Sequence, residues 1–337
     1  FWQTFKARGV NLGNWLILEE WMDSGYYQQA APGAQADEWS FCATLGKEAC
    51  ELQLQAHWTT YVTASDIQAL QQAGINLLRI PIGHWALVAP AADEPYVMSN
   101  QMDHVTRIME QASLHGLYVV LDLHGLPGSQ NAKDHSGHQG EIGWFSKANQ
   151  QKSLDVVQAA MRYIQASPYR GSVAALELCN EPNITTKDRR KTYEAYLKSA
   201  KQIVQKTNAS MPIMFHDGFQ GIKSWSDYGK NNKDNWVLDV HEYYTGALSN
   251  SERAVQQACA VAKTKSKLPV FIGEYSLSVG GAYQNTDAWR SSIWQTQQRL
   301  WEQQAGGAFW SLKVNDKGGS PNNGWSAESL LSQNLMD

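Results

Sequence analysis

The segment Val173–Pro182, with the sequence VAALELCNEP, decides how the chain is expected to fold. It starts as a short apolar run, Val173–Leu178, which is typical of a strand buried in a parallel sheet, and it continues into an Asn-Glu pair followed by proline. Similar short runs occur at Gly9–Leu12, Asn76–Pro81, Leu117–Leu123, Met211–His216, Trp236–His241, Pro269–Gly273 and Gly307–Leu312. Eight strands are therefore predicted.

Longer segments with apolar residues at three- and four-residue spacing lie between these strands. They are Ser65–Ala73, Met102–His115, Ser153–Gln165, Lys187–Thr207, Ser251–Lys263 and Thr286–Gln304. Because alternation of strands and helices is typical of a parallel sheet, the pattern predicts an α/β fold. Eight such units, without an internal repeat or a linker, predict a single (β/α)8 TIM barrel that forms one catalytic domain over residues 1–337.

The composition excludes several classes of protein. With 28 Lys+Arg against 32 Asp+Glu, a net charge of −4 and 18% charged residues, the chain is neither a polycationic nucleic-acid binder nor a disordered tail. No run approaches the roughly 18 consecutive apolar residues that cross a bilayer. We therefore expect neither nucleic acid nor a membrane as a partner. The 14 Trp and 14 Tyr residues indicate that some rings contact a ligand.

Cysteine and glycosylation patterns favour an extracellular protein. Cys42 and Cys50 enclose a short loop that a disulfide could bridge, although the spacing alone leaves the pairing open. Asn183 and Asn208 each begin an Asn-X-Ser/Thr triplet, and the sequence at Phe1 does not have the pattern of a signal peptide. We expect a mature, secreted monomer, either extracellular or in the cell wall.

Polar residues follow the predicted strands, and barrel enzymes carry their chemistry at this C-terminal rim. These residues are Arg79, His124, Asn180, Glu181, His241, Tyr243, Glu274 and Trp310. Cleavage of a glycosidic bond needs two carboxyl groups, one to protonate the leaving oxygen and one to attack or to activate water. Glu181 and Glu274 come from different strands and are the candidates for this pair.

The other rim residues have side chains that suit this chemistry. Arg79 and Tyr243 can donate hydrogen bonds that keep Glu274 ionised, and His241 can lie near Glu181. Any one of these residues alone is more often structural than catalytic, since charged residues at strand ends commonly form ion pairs. Their joint occurrence at successive strand ends favours a catalytic rim.

Substrate contacts are expected from an amide and from aromatic rings. Asn180 can hold a sugar 2-hydroxyl, and Trp310 can support the apolar face of a pyranose. Trp85 and Trp144 are further candidates for the rim near the second and third strands.

Metal and nucleophilic-serine chemistry have little support in the sequence. His124, His135 and His138 lack the carboxylate spacing and the HExxH pattern of zinc enzymes. No Gly-X-Ser-X-Gly segment is present, and the glycine-rich segment Gly125–Ser129 lacks the lysine of a phosphate-binding loop. We therefore predict no metal and no cofactor.

Several motifs together resemble glycoside hydrolase family 5. They are Arg8–Leu16, Arg79–Trp85, Asp122–Gly125 and Asn180–Pro182. Three further segments, Leu45–Glu48, Pro127–Asn131 and His216–Phe219, resemble the branch that holds fungal exo-β-1,3-glucanases. The resemblance extends from Arg8 to Trp310.

The resemblance implies a retaining mechanism in which Glu181 is the acid/base and Glu274 is the nucleophile. Its other matching rim positions are Arg79, His124, Asn180, His241, Tyr243 and Trp310. It also implies that Glu19 and Asp134 close a pocket around one terminal glucose. The expected substrate is a β-glucan or another β-glucoside.

The sequence departs from this branch on the side of the pocket where the leaving group would lie. Lys133 and Gly246 stand where the yeast enzymes have two Phe residues that clamp the next sugar. His135, counted among the expected substrate contacts, replaces an Asn, and Tyr275 replaces a Trp. We therefore expect this side to be more open than in those enzymes.

An open leaving-group side keeps several substrates in consideration. An exo-β-1,3-glucanase is the first hypothesis, and a flavonoid-glycoside hydrolase of the rutinosidase or β-glucosidase type or a β-1,6-glucanase is the alternative. A rutinosidase needs room for a second sugar on the glucose 6-hydroxyl, which Glu19 and Asp134 would oppose if they seal the pocket. A barrel that binds carbohydrate without catalysis is a remote alternative, since it has no need of the Glu181 and Glu274 pair.

Overall fold

Eight parallel strands close into a barrel in the computed structural model, which describes residues 1–229, 235–244, 251–278, 286–315 and 324–336. Each strand pairs with its neighbours in sequence, and β1 pairs with β8 to close the sheet. The strands are β1 Ala7–Asn11, β2 Leu77–Gly83, β3 Tyr118–Gly125, β4 Val173–Glu177, β5 Ile213–His216, β6 Trp236–Glu242, β7 Val270–Tyr275 and β8 Gly306–Phe309. The predicted (β/α)8 barrel is confirmed, and the predicted strands differ from the observed ones by a few residues at their ends.

The helices lie on the connections between strands, except α11, which follows β8. They are α1 Ser24–Ala30, α2 Glu38–Leu45, α3 Lys47–Tyr61, α4 Ala64–Gln72, α5 Gln101–Leu114, α6 Lys147–Ala166, α7 Lys187–Thr207, α8 Ile222–Trp225, α9 Ser251–Lys263, α10 Asp287–Trp301 and α11 Ala327–Ser332. All six predicted helices are present. Helices α1 to α3 were not predicted, and they form a long excursion between β1 and β2. Cys42 and Cys50 form a disulfide that joins α2 to α3.

The two-residue period of the strands divides the barrel interior into an apolar floor and a polar upper layer. Leu77, Val120 and Ala175 belong to one buried apolar cluster, which Trp2 joins from the N-terminal segment. Two residues further along the same strands come the buried charged side chains, Arg79, Asp122 and Glu177. The carboxyl ends of the strands therefore carry charge over a packed floor, which is where a barrel enzyme places its site.

A second, larger apolar cluster fills the space between the barrel and the surrounding helices. Trp58, Trp225 and Trp301 are among its fully buried members. Among the helices of the described residues, none is long and apolar enough to cross a membrane. The prediction that residues 1–337 form one domain stays a prediction.

Candidate active site

Arg79 stands at the centre of the polar layer, and all of its N–H groups have partners. The side chain is fully buried on β2. Its Nε, Nη1 and Nη2 groups lie 2.8 to 3.0 Å from oxygens of Glu177, Asn11, Glu274, Asn180 and Asp122. Burial would lower the pKa of Arg79, but the surrounding carboxylates outweigh burial and hold that pKa well above its ordinary value. The guanidinium is thus a permanent cation that fixes five neighbours.

Glu274 lies near the end of β7, and each of its carboxyl oxygens accepts a hydrogen bond. Arg79 Nη1 donates to Oε1 at 3.0 Å, and the Tyr243 hydroxyl donates to Oε2 at 2.7 Å. Burial and the nearby Glu274 carboxylate raise the pKa of Tyr243 well above its ordinary value, so the phenol keeps the proton that it donates. These two donors orient the Glu274 carboxylate.

Glu181 follows β4 in an unusual backbone conformation. Its φ of +43° lies in the left-handed region, which costs a non-glycine residue roughly 1–2 kcal/mol, and its carbonyl oxygen accepts a hydrogen bond from Asn131 Nδ2 at 3.1 Å. Oε1 lies 2.6 Å from His241 Nδ1, and Oε2 lies 3.3 Å from His135 Nε2. Burial alone would raise the pKa of Glu181, but the hydrogen bonds from the two imidazoles outweigh burial and hold it well below its ordinary value.

His241 connects the two candidate catalytic carboxylates. Its Nδ1 lies 2.6 Å from Glu181 Oε1 and 3.3 Å from Glu274 Oε2, while its Nε2 lies 3.3 Å from Asp239 Oδ2. Burial would lower the pKa of His241, but the carboxylates around it raise the pKa well above its ordinary value. Two oxygens that share one nitrogen at these distances are at most about 6 Å apart. This upper limit on one oxygen pair is compatible with the roughly 5–5.5 Å carboxyl separation of retaining glycosidases.

Asn180 and His124 are held in defined orientations beside this pair. Arg79 donates to Asn180 Oδ1, so the Asn180 amide nitrogen faces His124 Nε2 at 3.4 Å. His124 Nδ1 lies 2.6 Å from Asp122 Oδ2, which fixes the proton on Nδ1. The His124 ring stacks on Trp310 with ring centres 5.7 Å apart. Trp310 itself is only 3% exposed, so little of its ring faces open solvent.

Glu19 and Asp134 approach the site from the loops after β1 and β3. Glu19 is buried, its backbone N–H donates to Asn14 Oδ1 at 2.7 Å, and its Oε2 accepts from Trp21 Nε1 at 2.9 Å. Burial raises the pKa of Glu19 to about 8, with His135 opposing the shift and Asp134 adding to it. Asp134 is half-buried and begins a short 3-10 helix, 134–136. These electrostatic contacts bring the two loops to the same site.

Some predicted residues lie elsewhere. Trp85 and Trp144 present no open ring to the site, because both are fully buried: Trp85 stacks on Tyr96 just after β2, and Trp144 Nε1 donates to the Ser153 hydroxyl. The sequon asparagines make local contacts: the Asn183 side chain bonds to Thr185 and Arg189, and the Asn208 side chain bonds to Ser210. Lys133 is exposed, and Gly246 lies outside the described residues.

Other site residues were missed by the sequence reasoning. Asn11, Asp122, Glu177 and Asp239 surround Arg79. The sequence signal for the three acidic residues is their position two residues after an apolar residue of the barrel floor, Val120, Ala175 or Val237. Trp21 and Trp325 form an edge-to-face pair beside Glu19, with ring centres 5.3 Å apart. No periodic signal marks them, since both lie outside the strands.

One group in the described part of the chain has a geometry that could hold a metal ion. Ligand atoms of Glu181, His216 and His241 lie within 4.8 Å of one another. Glu181 and His241 already contact each other at 2.6 Å. His216 Nδ1 accepts from the Gly218 N–H at 2.9 Å. His216 Nε2 is buried and has no hydrogen-bond partner among the described residues. The absence of a metal stays a prediction.

Comparison with known proteins identifies the family to which this chain belongs. A family model described as "Cellulase (glycosyl hydrolase family 5)" matches residues 43–316. "Probable glucan 1,3-beta-glucosidase A" of Aspergillus niger is 40% identical over 278 residues, which are 80% of this chain and 65% of that protein. The protein of the same name from Aspergillus terreus is 30% identical, with 99% of this chain and 88% of that protein covered. The match thus spans slightly less than two thirds of the Aspergillus niger relative.

A solved structure resembles the whole chain. The crystal structure of rutinosidase from Aspergillus niger superposes with a TM-score of 0.91 at 28% identity, and the match covers 100% of this chain and 99% of that one. The polar rim described above therefore belongs to a barrel that is shared over its full length with a solved relative.

Proposed function

The chain belongs to glycosyl hydrolase family 5, and from this premise we propose that it is a retaining glycosidase that removes terminal β-linked glucose. Glu274 is the proposed nucleophile and Glu181 the proposed acid/base. The observation that carries the proposal is the shared contact of both carboxylates with His241, because it brings one oxygen of each to within about 6 Å of the other, the close approach that double displacement requires.

In the first step, Glu274 attacks the anomeric carbon while Glu181 gives a proton to the departing oxygen. Arg79 and Tyr243 each donate to one oxygen of Glu274, so the carboxylate is oriented before substrate arrives. The bond from the sugar to the leaving oxygen breaks as the ester between the sugar and Glu274 forms. The protonated leaving group then departs.

In the second step, water replaces the departed group. Glu181, now a carboxylate, removes a proton from this water, and the water oxygen bonds to the anomeric carbon as Glu274 leaves. The His241 and His135 contacts favour the carboxylate form of Glu181, which suits this base step. Two inversions give the sugar its original configuration.

An exo-β-1,3-glucanase is the proposed activity in detail. The relatives named glucan 1,3-beta-glucosidase support it, and so do Glu19 and Asp134, whose carboxyl groups can bind the hydroxyls of one terminal glucose. We also assign Trp310 and His124, which stack on each other, and Asn180 to this sugar. Because Glu19 is buried with a raised pKa of about 8, it can donate as well as accept at neutral pH.

A rutinosidase is the second candidate. The match to a rutinosidase structure over the whole chain favours it, and so does the exposed Lys133 in the place expected for one ring of a clamp. A β-1,6-glucanase stays an alternative on the same open side. The sugars that the protein releases therefore have to distinguish these candidate substrates.

The test incubates the protein with laminarin, a β-1,6-glucan and rutin and identifies the sugars released. Glucose as the first product from laminarin supports the exo-β-1,3 activity, rutinose from rutin supports the second candidate, and longer oligosaccharides indicate endo cleavage. Glu274→Gln should abolish whichever activity is found. Absence of any released sugar with the unmodified protein would overturn the proposed function.

Secretion and a monomeric state are also proposed. The disulfide between Cys42 and Cys50 supports secretion, because disulfides persist in oxidising compartments.

A further inference from the structure

Both oxygens of Glu181 face an imidazole nitrogen, which is unusual for a group that must act as an acid. His241 Nδ1 is 2.6 Å from Oε1, and His135 Nε2 is 3.3 Å from Oε2. His241 is fully buried and contacts Asp239 through its other nitrogen. His135 approaches from the loop after β3, and its side chain keeps 19% of its surface exposed. The two contacts are therefore made by different parts of the fold.

Asn180 determines which His135 nitrogen carries a proton when the ring is neutral. Since Arg79 donates to Asn180 Oδ1, the Asn180 amide nitrogen is a donor that faces His135 Nδ1 at 3.5 Å. Nδ1 then accepts, and the proton lies on Nε2, which faces Glu181. In the charged ring both nitrogens carry protons. His135 Nε2 is thus a donor to Glu181 in either state.

The groups around His135 are mostly acidic. Glu181 faces it from the segment after β4, Glu19 from the loop after β1 and Asp134 from its own short helix, while the His124 ring lies with its centre 5.4 Å away at the end of β3. Burial would lower the pKa of His135, but the three carboxyl groups outweigh burial and raise it to about 9. The charged ring adds a Coulomb attraction to the hydrogen bond with Glu181.

We propose that His135 is a positioning residue that holds Glu181 as a carboxylate in the free protein and so sets the upper pH limit of the acid step. The inference rests on the proposed function, in which Glu181 is the acid/base. A donor to a carboxylate oxygen stabilises the ionised form, so the acid form is populated only at lower pH. The same contact helps Glu181 as a base in the second step. His135 thereby acts on the reaction through Glu181, not through the sugar.

The test measures kcat/KM against pH for His135→Phe and His135→Gln with phenyl β-glucoside, whose leaving group needs an acid. Phe keeps a ring but has no donor, so the alkaline limb should move to higher pH by about one unit, a tenfold change in one ionisation. Gln can place an N–H where Nε2 stands, so its limb should stay within about 0.3 units of the unmodified protein. If the Phe ring prevents folding, His135→Ala replaces this variant, because Ala also removes the donor and should move the alkaline limb in the same direction.

Two controls separate this role from a purely structural one. His138→Phe changes a histidine on the same loop that stacks on Trp39 with ring centres 4.1 Å apart, and it should leave the limb unchanged. With 2,4-dinitrophenyl β-glucoside, which leaves without a proton, the unmodified protein and His135→Phe should have the same shape of alkaline limb, so the shift is confined to the phenyl glucoside. An alkaline limb that stays in place or moves to lower pH in both Phe and Ala variants would overturn the assignment. A protein that hydrolyses neither glucoside overturns the proposed function instead.

Discussion

At the scale of single residues, Arg79 organises the site. Its buried guanidinium contacts the proposed nucleophile Glu274 and also Asn180, which borders the proposed acid/base. Glu177 and Asp122 complete the shell of acceptors. A lysine would keep the charge but offers three donors from one nitrogen, so it cannot reproduce a planar fork with five partners.

Arg79→Lys should therefore cost both stability and activity. Charge-assisted hydrogen bonds are worth roughly 1.5–3 kcal/mol each, so we expect the free energy of unfolding to fall by about 2–3 kcal/mol and kcat to fall at least about tenfold. Urea unfolding and steady-state kinetics measure the two effects. Arg8→Lys is the matched control, because Arg8 pairs with Glu302 at the surface and such pairs contribute about 0–1 kcal/mol. Equal losses in the two variants would contradict this view of Arg79.

Sequence reasoning predicted some of these residues and missed others for a physical reason. Glu181 and Glu274 are polar residues that follow or end apolar strands, so their position at the rim can be predicted from the sequence pattern alone. Glu177 is the last residue of β4 and Asp239 lies within β6. Their contact with Arg79 depends on the register between strands, which the local sequence does not show. The burial of the Trp85 ring could not be predicted, because no residue near it in the sequence distinguishes a buried ring from a ring that faces the site.

At the scale of elements, residues 37–39 at the start of α2 connect the two loops of the proposed sugar pocket. Asp37 is fully buried, its Oδ2 accepts from the Gln139 N–H at 2.9 Å, and its Oδ1 caps α2 by accepting from the Ser40 N–H. Asp37 also bridges to Glu19 through the backbone, and the Trp39 N–H donates to the Gly137 carbonyl oxygen. The excursion after β1 thus supports the loop after β3.

Asp37→Ala should loosen substrate binding more than the chemical step. We expect KM for an aryl β-glucoside to rise several-fold with kcat within about threefold, because the loops that carry Glu19 and Asp134 lose a common anchor while Glu181 and Glu274 keep their contacts. Loss of the helix cap alone costs about 1 kcal/mol.

Thr63→Ala is the control for the cap. It removes the cap of α4, where the Thr63 hydroxyl accepts from the Asp66 N–H, and it touches neither pocket loop. An unchanged KM in Asp37→Ala, or an equal rise in Thr63→Ala, would show that the bridge does not shape the pocket.

Helices α1 to α3 were not predicted from the sequence, and the residues of α3 show why. The buried face of α3 includes His57, while the apolar Leu52 on the same helix is 69% exposed, so apolar residues alone do not mark a single stripe. The predicted helices, such as α5 with Val105, Ile108 and Met109 buried, show such a stripe. Regular barrel units can be predicted from periodicity, whereas an excursion that packs against two loops cannot.

At the scale of the whole molecule, stability and chemistry lie at opposite ends of the barrel. Trp2 closes the lower end, with its Nε1 donating to the Ala174 carbonyl oxygen at 2.9 Å and its ring against Phe271. The charged layer lies above this floor and towards the carboxyl ends of the strands. Changes at the floor should therefore affect unfolding without affecting the site.

Trp2→Ala should lower the free energy of unfolding by about 3–5 kcal/mol, as expected for removal of a buried tryptophan, while kcat/KM stays within about twofold. Urea unfolding and kinetics on the same preparation measure this. Phe1→Ala is the matched control, because Phe1 is 50% exposed and should lose much less. A folded Trp2→Ala protein with strongly reduced kcat/KM would contradict the separation of the two ends.

In the proposed mechanism, Glu274 forms a covalent bond to the sugar. The most direct measurement is the mass of the protein after reaction with 2,4-dinitrophenyl 2-deoxy-2-fluoro-β-glucoside, followed by peptide mapping. The fluorine slows the second step, so we expect the mass of one fluoroglucosyl group, carried by the peptide that contains Glu274 and absent in Glu274→Gln. A label on another residue, or an unlabelled protein that still hydrolyses β-glucosides, would contradict the account.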